Sequence, residues 1–422
     1  MLGTKILLLK SITAEDANQK EYENVYPLYI HGVTFVIYYQ SMMHFEEFLR
    51  VIGPEVKDAE EEAFYLYSQE FPSQNLGFVD SRANTVDFII HGRDFQIRQS
   101  PTILSSSRSG GTTGAVLWKI TPLIAEWLSS KQNILWTSSI LNQNSTVVEL
   151  GCGISGLIAL TLAPSIGHYI ATDQEYVHKL LKENLKENTT TKVSATTLRR
   201  SDNHHRQSRR GSHKSPTTQS SNAKHSASPS QPAPATNTGN VTFTALDWEL
   251  DSPSTLKQVI MPSSSSSAKV ITTKGGKGEE GEEGEEGEEE EEDPGFDLLL
   301  SCDCIYNDSL IDPFVQTCAE ICRLRPGYTP TSLSNGTSPL TLLSAPPPLS
   351  MKRRPTICII AQQLRAPDVF ESWLKASLEE FWVWRVCDEV LEKGVGKGEE
   401  EGFGVGLKAG SGYAVHVLVL RE

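Results

Sequence analysis

One stretch decides the fold of this chain: VVELGCGISG, residues Val147–Gly156. A short apolar run that ends in glycines and continues into an apolar helical pattern predicts a buried strand, a tight turn and the start of a helix. Glycines at such a turn let the backbone bend sharply and leave room for a ligand beside the main chain. The string also matches the G-x-G-x-x-G dinucleotide pattern, so alone it does not distinguish between nucleotide cofactors and a turn without a ligand.

Two acidic residues near this turn narrow the choice of cofactor. Asp173 ends the next predicted strand, twenty residues after Gly153, where a carboxylate accepts hydrogen bonds from both ribose hydroxyls. Glu149 lies directly before the glycines, where its charge would repel a pyrophosphate. The same charge favours a cofactor without phosphates that carries a sulfonium cation and an amino group. The Asp173 feature is common to nicotinamide and S-adenosyl-L-methionine sites, so it is Glu149 that favours S-adenosyl-L-methionine over a nicotinamide dinucleotide.

Strand and helix patterns alternate downstream of the turn. The predicted strands cover residues 146–150, 168–172, 241–246, 296–302, 356–364, 381–387 and 413–420. The predicted helices cover residues 155–163, 177–188, 309–324 and 367–379. This alternation predicts an α/β fold with a Rossmann-like, seven-stranded, mostly parallel sheet.

The remaining segments predict an extension and three insertions. Residues 1–82 are interpreted as an N-terminal extension, and residues 83–422 as one domain that includes a β-hairpin at 86–97 and a helix from residue 120. Three segments rich in Ser, Pro, Gly or Glu interrupt that domain, at about 189–240, 262–294 and 327–354. Such compositions cannot bury enough apolar surface to offset chain entropy, so we expect long disordered insertions.

The charge and the cysteine content limit the cellular compartment and the class of partner that we expect. The net charge of −15 is concentrated in the run 279–293, which holds eleven Glu and one Asp, and without those twelve charges the remainder carries −3. No basic surface for nucleic acid and no apolar run long enough to cross a bilayer is visible in the sequence. Seven cysteines in a long chain suit a reducing compartment. We therefore expect a cytoplasmic or nuclear monomer that binds neither membrane nor nucleic acid directly.

Four ordered motifs resemble one family. ELGCG at 149–153, followed by Thr172-Asp173, resembles motif I and its acidic follower in the seven-β-strand methyltransferases. GAVLWKITP at 114–122, LDW at 246–248 and DCIY at 303–306 resemble the GxxxWxxTP, LDW and D-x-x-Y segments of the protein-lysine methyltransferases within them. GISG, TDQ, AQQLR and YAVHVLVLR are most similar to the fungal ribosomal lysine methyltransferase 5 group. The resemblance covers roughly residues 83–190, 241–250, 296–325 and 355–421.

The resemblance implies a function and a site. It implies transfer of a methyl group from S-adenosyl-L-methionine to a lysine of a protein, with a 60S ribosomal protein as the substrate. The cofactor pocket would be lined by Trp118, Glu149, Gly151, Cys152, Gly153, Asp173, Trp248 and Cys302. Asp303 would orient the incoming amine, and Tyr306 would wall the lysine channel. The alternative for Asp303 is a strand-end carboxylate that caps the next helix.

Other interpretations remain open at this point. The chain could methylate another protein or a nucleic acid, although DCIY differs from the N-P-P-Y type used for planar nitrogen. It could be a scaffold without activity, or a nicotinamide enzyme, which Glu149 disfavours. A zinc site at Cys302, Cys304, Cys318 and Cys322 is disfavoured, because their spacings are not those of C-x-x-C knuckles. We expect no metal.

Overall fold

The structure is a computed structural model, and it describes residues 45–70, 77–108, 111–189, 239–259, 293, 295–330, 354–393, 406–407 and 410–422. The three predicted insertions lie almost wholly outside these described residues. Asp293, the last acidic residue of the glutamate run, is described and belongs to the folded part, where it pairs with Arg325 at 2.5 Å.

Ten strands are described. They are β1 (Glu55–Val56), β2 (Thr85–Ile90), β3 (Arg93–Arg98), β4 (Thr146–Leu150), β5 (His168–Asp173), β6 (Val241–Ala245), β7 (Leu298–Cys302), β8 (Ile357–Gln363), β9 (Phe381–Arg385) and β10 (Tyr413–Leu420). Strands β2 and β3 form the expected hairpin. The other eight form one sheet in the order β1-β9-β10-β8-β7-β4-β5-β6.

The helices of the described residues alternate with these strands. They are α1 (45–52), α2 (Ala59–Tyr67), α3 (Pro101–Leu104), α4 (Ile120–Ser129), α5 (Ile134–Thr137), α6 (Leu157–Leu162), α7 (His178–Thr189), α8 (Ile311–Cys322), α9 (Pro367–Glu380) and α10 (Asp388–Glu392). None of them combines the length and the apolar character that a membrane crossing requires.

The sheet is parallel from β6 to β8, and β10 runs antiparallel to both of its neighbours, β8 and β9. The prediction of a mostly parallel Rossmann-like sheet is therefore confirmed. The sheet has eight strands instead of seven, because the two-residue strand β1 pairs with the outer edge of β9. Parallel strands joined by helices require cover on both faces, and the side chains of β4, β7 and β8 are accordingly buried.

Alternate residues of each strand enter two separate hydrophobic layers. Val147 faces the layer that contains Trp127 of α4, the hairpin and α6, whereas Val148 faces the layer that contains Trp373 of α9 and the helix α8. Both tryptophans are fully buried. The two layers hold the central strands on both sides, so their carboxyl ends keep a fixed relative position.

The segment before the hairpin is part of this fold. Helix α2 contacts α9, and its Glu62 side chain pairs with Arg385 of β9 at 2.6 Å and with His416 of β10 at 3.1 Å. Burial by itself would raise the pKa of Glu62, but the hydrogen bond and charge of His416, together with Arg385, lower it. The predicted extension therefore contributes both an edge strand and a buried ionic contact to the sheet.

Candidate functional site

The glycine turn and the end of β5 form the base of the site. Gly151 and Gly153 have φ angles of +70° and +59°, a left-handed conformation that costs residues with a Cβ more than glycine. The N–H group of Gly153 donates to Asp173 at 2.8 Å, and that of Gln174 donates to the other carboxylate oxygen at 2.7 Å. Asp173 therefore fixes the turn, while each of its oxygens keeps a lone pair for a ligand.

Trp248 stands opposite the glycine turn. A Cβ on Gly151 would lie 3.6 Å from its indole ring and 2.3 Å from the Cys304 sulfur, so only glycine fits here without displacing a neighbour. The indole packs on Phe314 of α8 with ring centres 5.0 Å apart. Its Nε1 atom is buried and lacks a hydrogen-bond acceptor among the described residues. Gly151 and Gly153 have no side chains, and the Trp248 indole N–H opposite the turn has no acceptor among the described residues. This arrangement fits a flat heterocycle between them.

Glu149 and Asp173 give the site its electrostatic character. Burial raises the pKa of Glu149 to about 7, although a hydrogen bond from the Tyr169 hydroxyl at 2.7 Å opposes the shift. Burial raises the pKa of Asp173 to about 6, although two backbone hydrogen bonds oppose it. Among the described residues, neither carboxylate has a Lys, Arg or His within ion-pair distance. A cationic ligand would relieve this unbalanced negative charge, whereas a pyrophosphate would add to it.

The segment before α4 covers the glycine turn. The carbonyl of Gly114 accepts from the N–H of Ile154 at 2.9 Å, and its own N–H donates to the Tyr176 hydroxyl at 3.1 Å. Arg108 lies over the Tyr176 ring at 4.2 Å and donates to Gln174 at 3.1 Å. Sequence reasoning did not single out Arg108 or Tyr176, because neither lies in a recognised motif. Gly114 was the first residue of a quoted motif, but nothing indicated that it bonds the turn.

A hydrogen-bonded asparagine joins the hairpin to the same turn. Asn184 of α7 is fully buried. It accepts from the N–H of Arg98 at 2.9 Å, and it donates to the carbonyls of Arg98 and Ile154 at 3.0 and 2.7 Å. The hairpin therefore supports the turn, although it carries none of the site residues itself.

Asp303 lies at the end of β7 in an unusual conformation. Its φ is +59°, and its side chain is 1% exposed. The carboxylate pairs with the Arg365 guanidinium and accepts from the N–H of Gln363 at 3.2 Å. Burial raises the pKa of Asp303 even though Arg365 and Gln363 oppose the shift. It caps no helix: the turn at 308–310 is capped by Asn307.

Tyr306 and Trp118 lie at the entrance of the site. Tyr306 is 41% exposed, and its hydroxyl bonds that of Thr113 at 3.3 Å. The indole N–H of Trp118 donates to the Thr113 carbonyl at 3.1 Å, and Arg365 lies over the indole ring at 4.9 Å. Arg365 and Thr113 are further residues that sequence reasoning missed. Arg365 occurs in the sequence analysis only as the last residue of the AQQLR segment.

Six of the seven cysteines fall into two groups, and the half-buried Cys387 belongs to neither. Cys152, Cys302 and Cys304 lie around Glu149 and the turn, and burial raises the pKa of all three thiols. Cys152 donates its backbone N–H to Thr172 at 3.0 Å. Cys318 and Cys322 of α8 contact Cys358 of β8 on the other side of the sheet. The described residues hold no group of three potential ligands arranged for a metal ion.

Comparison with known proteins agrees with this geometry. Residues 98–213 match a family model described as lysine methyltransferase. The ribosomal lysine N-methyltransferase 5 of Zygosaccharomyces rouxii is 41% identical over 107 residues, which are 22% of this chain and 34% of that protein. Its counterpart in Candida glabrata is 28% identical over 252 residues, which are 54% of this chain and 60% of that protein.

A third relative has a different name. The diaminohydroxyphosphoribosylamino-pyrimidine deaminase of Schizosaccharomyces pombe is 33% identical over 144 residues, 34% of each chain. Zinc-dependent nucleobase deaminases carry a P-C-x-x-C ligand pair, and no C-x-x-C occurs in the present sequence. The shared residues therefore do not include such a ligand pair. The chain spans 34% to 60% of the length of these three relatives.

The family match begins at the end of the hairpin and includes the glycine turn, Asp173 and the segment that covers them. The observed sheet, parallel from β6 to β8 and antiparallel at β10, supplies the frame that holds these parts together. Residues 98–213 of this chain are therefore similar to the lysine methyltransferase family.

Proposed function

We propose that this chain transfers a methyl group from S-adenosyl-L-methionine to the side-chain amine of a lysine in a protein, and that its substrate is a large-subunit ribosomal protein. The observation that carries the proposal is the pair of carboxylates, Glu149 buried and Asp173 half-buried, without a described cation partner beside the glycine turn. The names of two relatives support lysine as the acceptor and the ribosome as the source of the substrate. We propose that the protein acts as a monomer in the cytoplasm, where ribosomes are abundant.

The residues around the turn fit this cofactor. Asp173 would accept the ribose hydroxyls with the lone pairs that Gly153 and Gln174 leave unused. Trp248 would pack against the adenine, and the charge of Glu149 would favour the amino and sulfonium groups. Cys152 and Cys302 would complete the wall of the pocket beside Glu149. S-adenosyl-L-methionine supplies a methyl group on a sulfonium, which becomes a neutral thioether after transfer.

The acceptor lysine must reach the methyl group without its proton. A free lysine has a pKa of about 10.4, so only about one in a thousand is neutral near pH 7.4. Transfer from water into a narrow entrance lined by the rings of Tyr306 and Trp118 would lower that pKa, because burial disfavours the ammonium form. Burial also raises the pKa of the Tyr306 hydroxyl, so at neutral pH this group keeps its proton and acts as a hydrogen-bonding wall.

Asp303 is poorly placed to act as a general base. Its carboxylate is paired with Arg365 and its side chain is only 1% exposed, so it is out of reach of an incoming amine. The proton would instead leave the lysine for solvent as the amine enters, and the protein would contribute alignment and desolvation. We propose that Asp303 influences the amine indirectly, through the conformation of the loop that carries Tyr306.

Incubation of ribosomes and of whole lysate with radiolabelled S-adenosyl-L-methionine tests this function. We expect wild-type protein to label a ribosomal protein on lysine, Asp173→Ala to label nothing, and Asp87→Ala, which alters an exposed hairpin residue, to match wild type. Label found only in RNA would overturn the assignment to lysine. Calorimetry on the same samples separates two other outcomes: cofactor binding without transfer would indicate a scaffold, and tight binding of NAD alone would indicate a nicotinamide enzyme.

A further inference from the structure

Five side chains from three parts of the sequence form a closed chain of contacts at the entrance of the site. Asp303 pairs with Arg365, Arg365 lies over the ring of Trp118, Trp118 donates to the carbonyl of Thr113, and the Thr113 hydroxyl bonds that of Tyr306. Tyr306 lies three residues after Asp303, which closes the chain. We call these five residues the entrance ring.

Arg365 is the member that joins the two walls of the entrance. One wall is the loop 303–306 after β7, and the other is the segment 113–118 before α4. The guanidinium contacts the carboxylate on the first wall, and its centre lies 4.9 Å from the Trp118 ring on the second. Its side chain is 21% exposed whereas that of Asp303 is 1% exposed. Arg365 therefore lies between the carboxylate and the solvent.

The Asp303 turn depends on this contact. A residue other than glycine at a positive φ of +59° is strained, and such strain persists only where the surroundings hold the backbone. Three interactions hold it: the Arg365 ion pair, the N–H of Gln363 at 3.2 Å, and the Asp303 N–H, which donates to the Ala361 carbonyl at 2.7 Å. Without the guanidinium, a buried carboxylate would lose its counter-ion, and reorganisation of the turn would relieve both the charge and the strain.

The segment 113–118 is also linked directly to the loop 303–306. The bond between Thr113 and Tyr306 joins the two walls on the other side of the entrance, at 3.3 Å between hydroxyl oxygens. That contact is long and one of its partners is 41% exposed, so it is weaker than the charged contact on the Arg365 side. The separation of the walls is therefore set mainly by Arg365.

We propose that Arg365 is a positioning residue for methyl transfer, which holds the Asp303 turn and the Trp118 indole together so that the two walls of the lysine entrance keep one separation. The kinetic part of this proposal rests on the function proposed above. Arg365 touches neither cofactor nor reacting atoms, and it acts through Asp303 and Trp118. Its removal should slow transfer more than it weakens binding, because misplacement by about 1 Å can reduce a rate by about 100-fold.

A matched arginine elsewhere in the sheet provides the control. Arg385 also pairs with a buried carboxylate, that of Glu62 at 2.6 Å, and it also lies over an aromatic ring, that of Tyr65 at 3.9 Å. Its side chain is 20% exposed, close to the value for Arg365. Arg385 lies on β9 at the edge of the sheet, so its loss tests the general cost of removing such an arginine.

The kinetic experiment compares Arg365→Met, Arg365→Lys and Arg385→Met with wild type. For Arg365→Met we expect kcat to fall by at least about tenfold while KM for the protein substrate changes by less than about threefold. Arg365→Lys keeps the positive charge but lacks the planar guanidinium with its several N–H donors, so it should recover part of kcat. The proposal is wrong if Arg365→Met loses no more kcat than Arg385→Met.

Amide hydrogen exchange provides a readout that does not depend on activity. The N–H of Asp303 bonds Ala361 at 2.7 Å and that of Leu117 bonds Gln99 at 2.8 Å, so both walls contain protected amides. Arg365→Met should speed exchange in both 113–118 and 303–306, and Arg385→Met in neither. Unchanged exchange in both segments would overturn the proposal even if wild type proved inactive, whereas absence of transfer by wild type would contradict only the proposed function. If Arg365→Met fails to fold, Arg365→Lys carries the same comparison.

Discussion

The two ends of the parallel strands carry acidic side chains in opposite electrostatic surroundings. At the carboxyl ends, Glu149 is buried and Asp173 is half-buried, neither has a described cation within ion-pair distance, and their pKa values are raised to about 7 and about 6. At the amino ends, Asp297 directly precedes β7 and accepts from the N–H of Thr146, the first residue of β4, at 2.8 Å.

The carboxylates at the amino ends are paired with cations. Arg325, whose side chain is 6% exposed, binds Asp297 at 3.2 Å and Asp293 at 2.5 Å. Arg354 lies 3.6 Å from Asp297, and Lys257 lies 3.8 Å from Asp293. Burial by itself would raise the pKa of Asp293, but the hydrogen bond and charge of Arg325 lower it.

The difference shows what each end contributes. These ion pairs join residues that border two of the three insertions, 262–294 and 327–354, so they hold the sheet together where those segments leave and re-enter it. Glu149 and Asp173 at the other end destabilise the folded protein until a cation arrives, which is a property of functional sites. One residue type thus serves stability at one end of the sheet and ligand binding at the other.

Loss of Arg325 should have the largest effect. Arg325→Met removes a buried guanidinium from two half-buried carboxylates, which keep only weaker counter-ions, and should lower the free energy of unfolding by about 3–5 kcal/mol, measured by urea denaturation. The control is Arg323→Met, two residues away, which breaks an exposed pair with Glu380 and should cost less than about 1 kcal/mol. Equal losses for the two variants would contradict the structural role assigned to the amino end.

Loss of Asp173 should affect binding instead of folding. Asp173→Ala removes the acceptor proposed for the ribose and should weaken S-adenosyl-L-methionine by at least about 100-fold, because hydrogen bonds to charged groups are worth about 1.5–3 kcal/mol each. Calorimetry measures the affinity and urea denaturation the stability, which should fall far less than in Arg325→Met. If Asp173→Ala unfolded the protein as readily, the distinction between the two ends would be lost.

A methyl group on the glycine turn should have a smaller effect on affinity. Gly151→Ala places a Cβ against the Cys304 sulfur and strains a φ of +70°, so we expect a loss of cofactor affinity of about tenfold, or about 1.4 kcal/mol. Gly92→Ala is the control, because its φ is +73° and nothing lies within 4 Å of the added Cβ. Its affinity should equal that of wild type, and a similar loss in both variants would show that the contact with Cys304 is irrelevant.

The pH dependence should be the mildest effect and should have opposite signs at the two ends. The raised pKa of Asp173 means that its contribution to stability is full below its unfolded pKa of about 3.9 and is lost as the pH rises through about 6. The lowered pKa of Asp293 means that its contribution is present at neutral pH and is lost as the pH falls.

Melting temperatures of wild type and Asp173→Asn between pH 5 and pH 8 measure this effect. The melting temperature of the variant should rise relative to that of wild type as the pH rises. The affinity of wild type for the cationic cofactor should rise several-fold over the same range, since the ionised carboxylates attract it. A difference in melting temperature that does not change with pH would contradict the raised pKa of Asp173.

Much of the fold could be predicted because its signals are local. The strands Thr146–Leu150 and Tyr413–Leu420 occur with the predicted bounds, since a buried strand is a continuous apolar run with polar or glycine neighbours. The hairpin predicted at 86–97 also lies where its pattern indicates. The strand Glu55–Val56 could not be predicted, because two residues have no periodicity and their pairing with Trp384 and Val383 is decided by the partner.

The site divides in the same way. The glycine turn and Asp173 were predictable because adjacent parallel strands end at one edge, so residues that follow them must lie close together. The pairing of Asp303 with Arg365 was not, because these residues are 62 apart in sequence and a carboxylate after a strand can equally orient a substrate or accept from an arginine. The paired state of Asp293 was also missed, since its neighbours form an acidic run.

The sequence by itself determined the order of strands and helices, the glycine turn and the acidic residue that follows it, because hydrophobic periodicity and backbone freedom act over a few residues. Only the tertiary structure decided which carboxylates have cations and which do not. An ion pair depends on the distance between side chains that are remote in sequence, and burial decides its strength. Arg365, Arg325 and Arg385 each join such remote segments, and the absence of a comparable partner at Asp173 among the described residues is what distinguishes the proposed site.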